Sequence, residues 1–197
     1  MNEALRADLL AMVEQDNRVR AELVSTGELF DGYNARMAEV HKQNARKLDR
    51  IVEAFGWPGI SLVGNEGAEA AWLVLQHAIA NPELQRKCLP LLKAAAKIEE
   101  IPSFQYACLE DRICFYEGRA QRYGTQFDWD ESGMLSAHPL QDTERVDDFR
   151  KSVGLGPLSE KTEEIRQRAA AEGNEPPRDF QKRQKEMDAW ARSVGWR

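Results

Sequence analysis

Ala68-Glu69-Ala70-Ala71-Trp72-Leu73-Val74-Leu75-Gln76-His77-Ala78-Ile79-Ala80 is the longest apolar-rich run of the chain, and its reading decides the fold. Ala68, Ala71, Trp72, Leu75 and Ile79 make one face of a helix, and Ala70, Leu73 and Val74 make much of another. A helix apolar on almost every side lies in a membrane or at the centre of a helical domain. The run falls short of the roughly 20 residues that a membrane span needs, and Glu69, Gln76 and His77 interrupt it. It therefore predicts a central helix, buried among others.

The flanking segments supply those others. Toward the N-terminus, Gly56-Trp57-Pro58-Gly59 ends a helix sharply, and Ile60 to Gly64 reads as a short extended piece before Asn65 caps the central helix. The helix before the stop runs from about Tyr33 to Phe55, with Met37, Val40, Leu48, Ile51, Val52 and Phe55 on its stripe. A first helix spans about Glu3 to Val24, carried by Leu5, Leu9, Met12, Val13 and Leu23. Asp16 and Arg20 are one turn apart on it, the spacing of an intrahelical ion pair.

Toward the C-terminus, Asn81-Pro82 opens a helix that Pro90 kinks or splits and that continues to about Glu99. Pro102-Ser103 opens another, which stops near Gly118. Tyr123, Thr125, Phe127 and Trp129 then alternate with polar residues before the turn Asp130-Glu131-Ser132-Gly133, which predicts a β-hairpin. Helices follow from about Thr143 to Lys151 and, capped by Ser159, to about Ala171. The fold class is mainly α: a compact multi-helix domain over 1–172 with one small β-hairpin near 123–138. A linker and charged tail, 173–197, carries Phe180, Met187, Trp190 and Trp196 and reads as a docking helix.

Composition bounds the function. With 42% hydrophobic and 30% charged residues the chain is globular in type, and 197 residues bury a core without disulfides. A net charge of −6 argues against a nucleic-acid partner, since phosphate binding calls for a basic surface. No stretch reaches membrane-span length, and the first residues lack a signal-peptide pattern. Cys88, Cys108 and Cys114 have no framework spacing, so they read as reduced thiols and the expected compartment is the cytoplasm.

Four places put polar side chains where burial is expected, and each such group costs about 1–3 kcal/mol unless it is satisfied. Gln76 and His77 interrupt the central helix; the imidazole is a potential general base or a histidine satisfied by a carbonyl. Asp111 shares a face with Phe104, Ala107 and Phe115, and Arg112 lies beside Cys108 and Tyr116. The aspartate suits orienting a histidine and the arginine clamping an anion, or the residues serve a buried ion pair to another helix, such as Arg112 with Asp16. His41 and Asn44 sit one turn apart on a core-facing stripe. Tyr123-Gly124-Thr125-Gln126 offers donors and acceptors around a glycine that allows close backbone approach. His138, before Pro139, reads as a surface residue.

No phosphate-loop, dinucleotide, nucleophile-elbow or zincin motif is present, so no cofactor is expected. Three histidines exclude a His-rich metal site; two His with one Asp stays possible, but no spacing supports it, and no metal is expected.

The same residues carry a resemblance. Asp31-Gly32-Tyr33, Val40-His41-x-x-Asn44, Gly56-Trp57-Pro58, Ala70-Ala71-Trp72 through Gln76-His77-Ala78, Leu109-Glu110-Asp111-Arg112, Gln121-Arg122-Tyr123-Gly124-Thr125-Gln126 and Val153-Gly154-Leu155 with Pro157-Leu158 together resemble a bacterial domain-of-unknown-function family. Such families are typically small stand-alone proteins. The likeness runs from about residue 5 to 170, leaves the tail outside, and implies no reaction.

Two functions fit these readings. One is a small hydrolase, group transferase or small-ligand binder. In it His77 and Asp111 are catalytic, and His41, Asn44, Gln76, Arg112, Tyr123, Thr125 and Gln126 bind a small polar molecule. The other is a protein-interaction module of the immunity, antitoxin-like or adaptor kind, whose polar set is a structural network.

Overall fold

A computed structural model describes residues 1–28 and 34–197. Asp31-Gly32-Tyr33 and the expected helix start at Tyr33 lie outside the described residues. Those described form two compact units, Met1–Pro102 and Ser103–Arg197. They carry eight helices and one two-stranded sheet, and none of the helices is long and apolar enough to cross a membrane.

The first unit is built of α1 (Glu3–Thr26), α2 (Ala35–Phe55), α3 (Ile60–His77) and α4 (Pro82–Lys97). α1 packs on α3 and α2, α2 packs on α3, and α4 packs on α2. Leu9, Leu23, Leu48, Val63, Leu75, Leu84 and Leu92 are sealed from solvent in its core. Three of its helix starts have a local cause: Asn2, Asn34 and Asn81 accept hydrogen bonds from the backbone N–H groups of Leu5, Arg36 and Leu84. Pro90 lies inside one continuous α4 and does not split it.

Two expectations change here. Ile60 to Gly64 is helical, because Glu100 caps that end: its carbonyl accepts from Ile60 N at 3.1 Å and its Oε2 from Ser61 N at 2.8 Å. Gly64, at φ 70° and ψ 173°, then breaks the helix where the extended piece was expected to end. Phe55, placed on the core stripe, is 55% exposed at the last position of α2.

The second unit holds α5 (Ser103–Tyr116), β1 (Phe127–Trp129), β2 (Leu135–Ala137), α6 (Val146–Ser152), α7 (Leu158–Ala171) and α8 (Phe180–Ser193). β1 and β2 pair antiparallel, with Asp128 opposite Ser136. The strand begins later than expected, since Tyr123 to Gln126 is loop. α7 begins at Leu158 without a Ser159 cap; the Asp147 carboxylate in α6 accepts from Leu158 N at 2.8 Å. Ala107, Tyr123 and Val153 form a core cluster. The aromatic side chains of the tail pack on α5: Trp190 and Trp196 lie 5.4 and 5.2 Å from the Tyr116 ring, and Arg197 donates to Tyr116 O at 2.9 Å. His138, expected on the surface, is half-buried against the Phe115 ring at 4.2 Å, and burial lowers its pKa.

Candidate functional site

Three helices of the first unit each send one polar side chain to a common point. Asp16 of α1 is 3% exposed. Its Oδ2 lies 2.8 Å from His77 Nδ1, at the end of α3, and 3.1 Å from His41 Nε2, on α2. The two imidazole rings are 4.8 Å apart between centroids. His41 is nearly enclosed, and the His77 side chain is 32% exposed. Burial pushes the Asp16 carboxyl up, but the two imidazoles outweigh it and hold the carboxyl well below the usual carboxylate range.

The local sequence explains the convergence. His41 and Asn44 lie on the buried side of α2, and Asn44 donates its amide to Met12 O at 3.1 Å, pinning α2 to α1 one turn from Asp16. α3 stops at His77 because Ala78 leaves the helix. The buried Gln85 of α4 donates to Leu75 O at 2.9 Å, which fixes the helix end that carries the ring. Gln76 is half-buried beside it. Among the described residues, Asp16 Oδ1 and Asn44 Oδ1 are buried with no hydrogen-bond donor. The centre thus has acceptor capacity left over, which is costly in a sealed core.

The second unit gathers the remaining expected residues into a different arrangement. Asp111 is fully buried. Its Oδ1 accepts from Arg122 N at 2.8 Å and Tyr123 N at 3.1 Å. Its Oδ2 accepts from Tyr123 N, Thr125 N and the Thr125 hydroxyl at 3.1, 2.9 and 3.0 Å. Burial raises the Asp111 pKa, and these donors oppose the rise. Gln126 donates to Thr125 Oγ1 at 3.1 Å, and Arg112 Nε lies 3.5 Å from Gln126 Oε1. Burial lowers the pKa of Arg112. Gly124, at φ 63°, brings its backbone against Leu158, where an added Cβ would meet Leu158 Cδ1 at 2.9 Å. The buried Arg150 donates to the carbonyls of Tyr123, Gly124 and Gly156.

Arg112, Tyr123, Thr125 and Gln126 therefore gather around Asp111, while His41 and His77 meet at Asp16 and Asn44 holds α2 to Met12 O nearby in α1. The carboxylate on His77 is Asp16, the place that the sequence reading gave to Asp111. Neither Arg20, the i,i+4 neighbour, nor Arg112, the interhelical partner that the sequence suggests, is the group on Asp16; it is the two imidazoles. The one available signal was an aspartate on an apolar stripe. Gln121 and Gln85, both sealed from solvent, were also not singled out. Gln121 closes the 121–126 loop by exchanging hydrogen bonds with the Gln126 backbone at 3.0 and 2.9 Å.

One carboxylate and two imidazoles are groups that move protons, hold a transition-metal ion or orient a polar substrate. No curated protein and no solved structure matches the chain. A sequence profile matches residues 3–174, and the chain belongs to DUF6624, a family of unknown function.

Proposed function

We propose that the protein is a small enzyme of the hydrolase or group-transfer class that acts on a small polar molecule at Asp16, His41 and His77. The observation that carries this reading is the buried Asp16 carboxylate holding a part-exposed imidazole at 2.8 Å while its second oxygen has no donor. The donor-free oxygen and the part-exposed ring together leave the centre able to take up a further polar group. His77 is the group that substrate meets, and Asp16 and His41 fix its position. Gln76, beside His77, is placed to bind polar substrate atoms. Asp111 acts differently from the catalytic role first expected of it: it holds the 122–125 loop in shape, with Tyr123, Thr125, Gln126 and Arg112 arranged around it.

The test is turnover of a panel of chromogenic esters, amides and phosphate esters by the full chain. The expected result is an activity that His77→Ala lowers by at least about 100-fold, the scale of losing one reacting group. Activity that survives both His77→Ala and Asp16→Asn contradicts the reading.

A second reading, a protein-interaction module, is favoured by a separate observation. Phe55, Ile60 and Ile98 are 55, 37 and 72% exposed, and the Ile60 N to Glu100 O hydrogen bond holds the start of α3 beside the segment that follows α4. Exposed large apolar side chains suit a protein partner where they form a patch. Loss of a co-purifying partner on Phe55→Ser with Ile98→Ser, at unchanged folding, supports this reading; no partner in either form counts against it.

A further inference from the structure

We infer that Asp16, His41 and His77 bind one divalent first-row transition cation of the Zn2+ type, through a carboxylate oxygen and two imidazole nitrogens. The inference rests on reading this centre as the place where the chain works, and it names what the centre holds.

The donor set comes first. Imidazole and carboxylate suit zinc and its neighbours, and catalytic zinc sites combine three such protein ligands with one open position. The three donor atoms lie within 4.8 Å of one another. Ligands at about 2.0–2.2 Å from a shared ion sit roughly 3–3.5 Å apart. The His41 separation of 3.1 Å falls in that range and the His77 separation of 2.8 Å just below it, and a small turn of the part-exposed His77 ring brings its nitrogen to ligand spacing. The ligands also come from three separate helices, so the packed core holds them in place before any ion arrives.

Charge and satisfaction point the same way. Asp16 is an acceptor-only anion at 3% exposure, and the groups facing it are two imidazoles. A buried carboxylate without a lasting positive partner is costly; a dication supplies that partner. The donor-free oxygen of Asp16 is a lone pair of the kind that an ion or its bound water satisfies. The exposed side of His77 leaves a way in for that water and for a substrate. The ion's chemistry is then Lewis-acid assistance to hydrolysis, with water on the open position.

The experiment is calorimetric titration of the chelator-treated full chain with Zn2+ alone. One ion per chain with a micromolar or tighter Kd is expected, and Mg2+, which imidazole suits poorly, gives no heat. Asp16→Asn and His77→Ala each weaken binding by more than about 100-fold, beyond the 10–100-fold typical of a supporting contact. His138→Ala, on the third histidine, leaves it unchanged. Wild-type protein loaded with Co2+ gives a readout independent of any variant's folding: shifted imidazole N–H resonances from two histidines. No Zn2+ binding tighter than millimolar, binding indifferent to Asp16→Asn and His77→Ala, or Co2+ signals from fewer than two histidines overturns the site. Turnover through His77 that persists in chelator overturns the metal and leaves the enzyme reading. Zn2+ held by the triad with no turnover across the panel supports the metal and removes the enzyme reading.

Discussion

Among the described residues each unit buries one aspartate, and the two are used in opposite ways. Asp111 spends both oxygens on its own neighbourhood, accepting from three backbone N–H groups and one hydroxyl between residues 122 and 125. Asp16 spends one oxygen on two imidazoles and has no donor on the other. Backbone donors cannot leave or change their protonation, so a carboxylate that they saturate is a fixed hub. Imidazoles change partners and protonation, so a carboxylate that faces them with capacity in reserve is equipped to act. Burial alone does not distinguish a working acid from a structural one; the identity and number of its donors do.

The largest effect should come from breaking the hub. Asp111→Ala leaves several buried donors without an acceptor, and each unsatisfied group costs about 1–3 kcal/mol. The expected loss is about 4 kcal/mol in urea unfolding, less than a plain sum because water enters the space vacated. A loss below about 1 kcal/mol would show that the loop does not depend on Asp111. Gly124→Ala sharpens the same point with a smaller effect. It puts a side chain at φ 63° and within 2.9 Å of Leu158, for an expected cost of about 1–2 kcal/mol, read as a lower unfolding midpoint.

A third aspartate tests the rule on an exposed site. Asp130 closes the hairpin turn, accepting from Ser132 N and Oγ, Met134 N and Ser136 Oγ. The Ser132 hydroxyl first, then the Met134 amide and the Ser136 hydroxyl, lower its pKa to about 2. A pKa below the unfolded value means that its stabilisation is complete above about pH 4. It is lost as pH falls through about 2. Carboxyl shifts in NMR should show Asp130 titrating near 2, with the Met134 amide following. Titration at an ordinary carboxylate pKa would separate exposed hubs from buried ones.

The sequence disclosed more of the fold than of the site. Helix ends were legible because their causes are local: Asn81-Pro82, Pro102-Ser103 and the stop at Gly56. Ile60 to Gly64 was misread because its cap, Glu100, lies forty positions away. Histidine and asparagine on the buried side of α2, and histidine at the end of the central helix, stood out as polar groups in apolar surroundings. What joins them did not stand out. Asp16 looked like half of a local ion pair with Arg20, and no spacing links residues 16, 41 and 77. Asp111 was visible as a buried acid. Its role was hidden, because its partners are backbone N–H groups, which every residue but proline carries and which leave no mark in composition or pattern.

The most direct test of the contrast is urea unfolding of metal-free Asp16→Asn and Asp111→Asn side by side with the wild type. Asparagine keeps the volume and one acceptor oxygen. At position 16 both imidazoles face the single oxygen Oδ2, so an asparagine oxygen in that place keeps both contacts while its amide takes the place of the donor-free Oδ1, and the expected change is within about 1 kcal/mol. At position 111 the amide N–H2 faces backbone N–H groups, and the expected loss is about 2–3 kcal/mol. That asymmetry is the predicted result. Equal losses of about 2–3 kcal/mol at both positions would make Asp16 a structural hub like Asp111 and contradict the account.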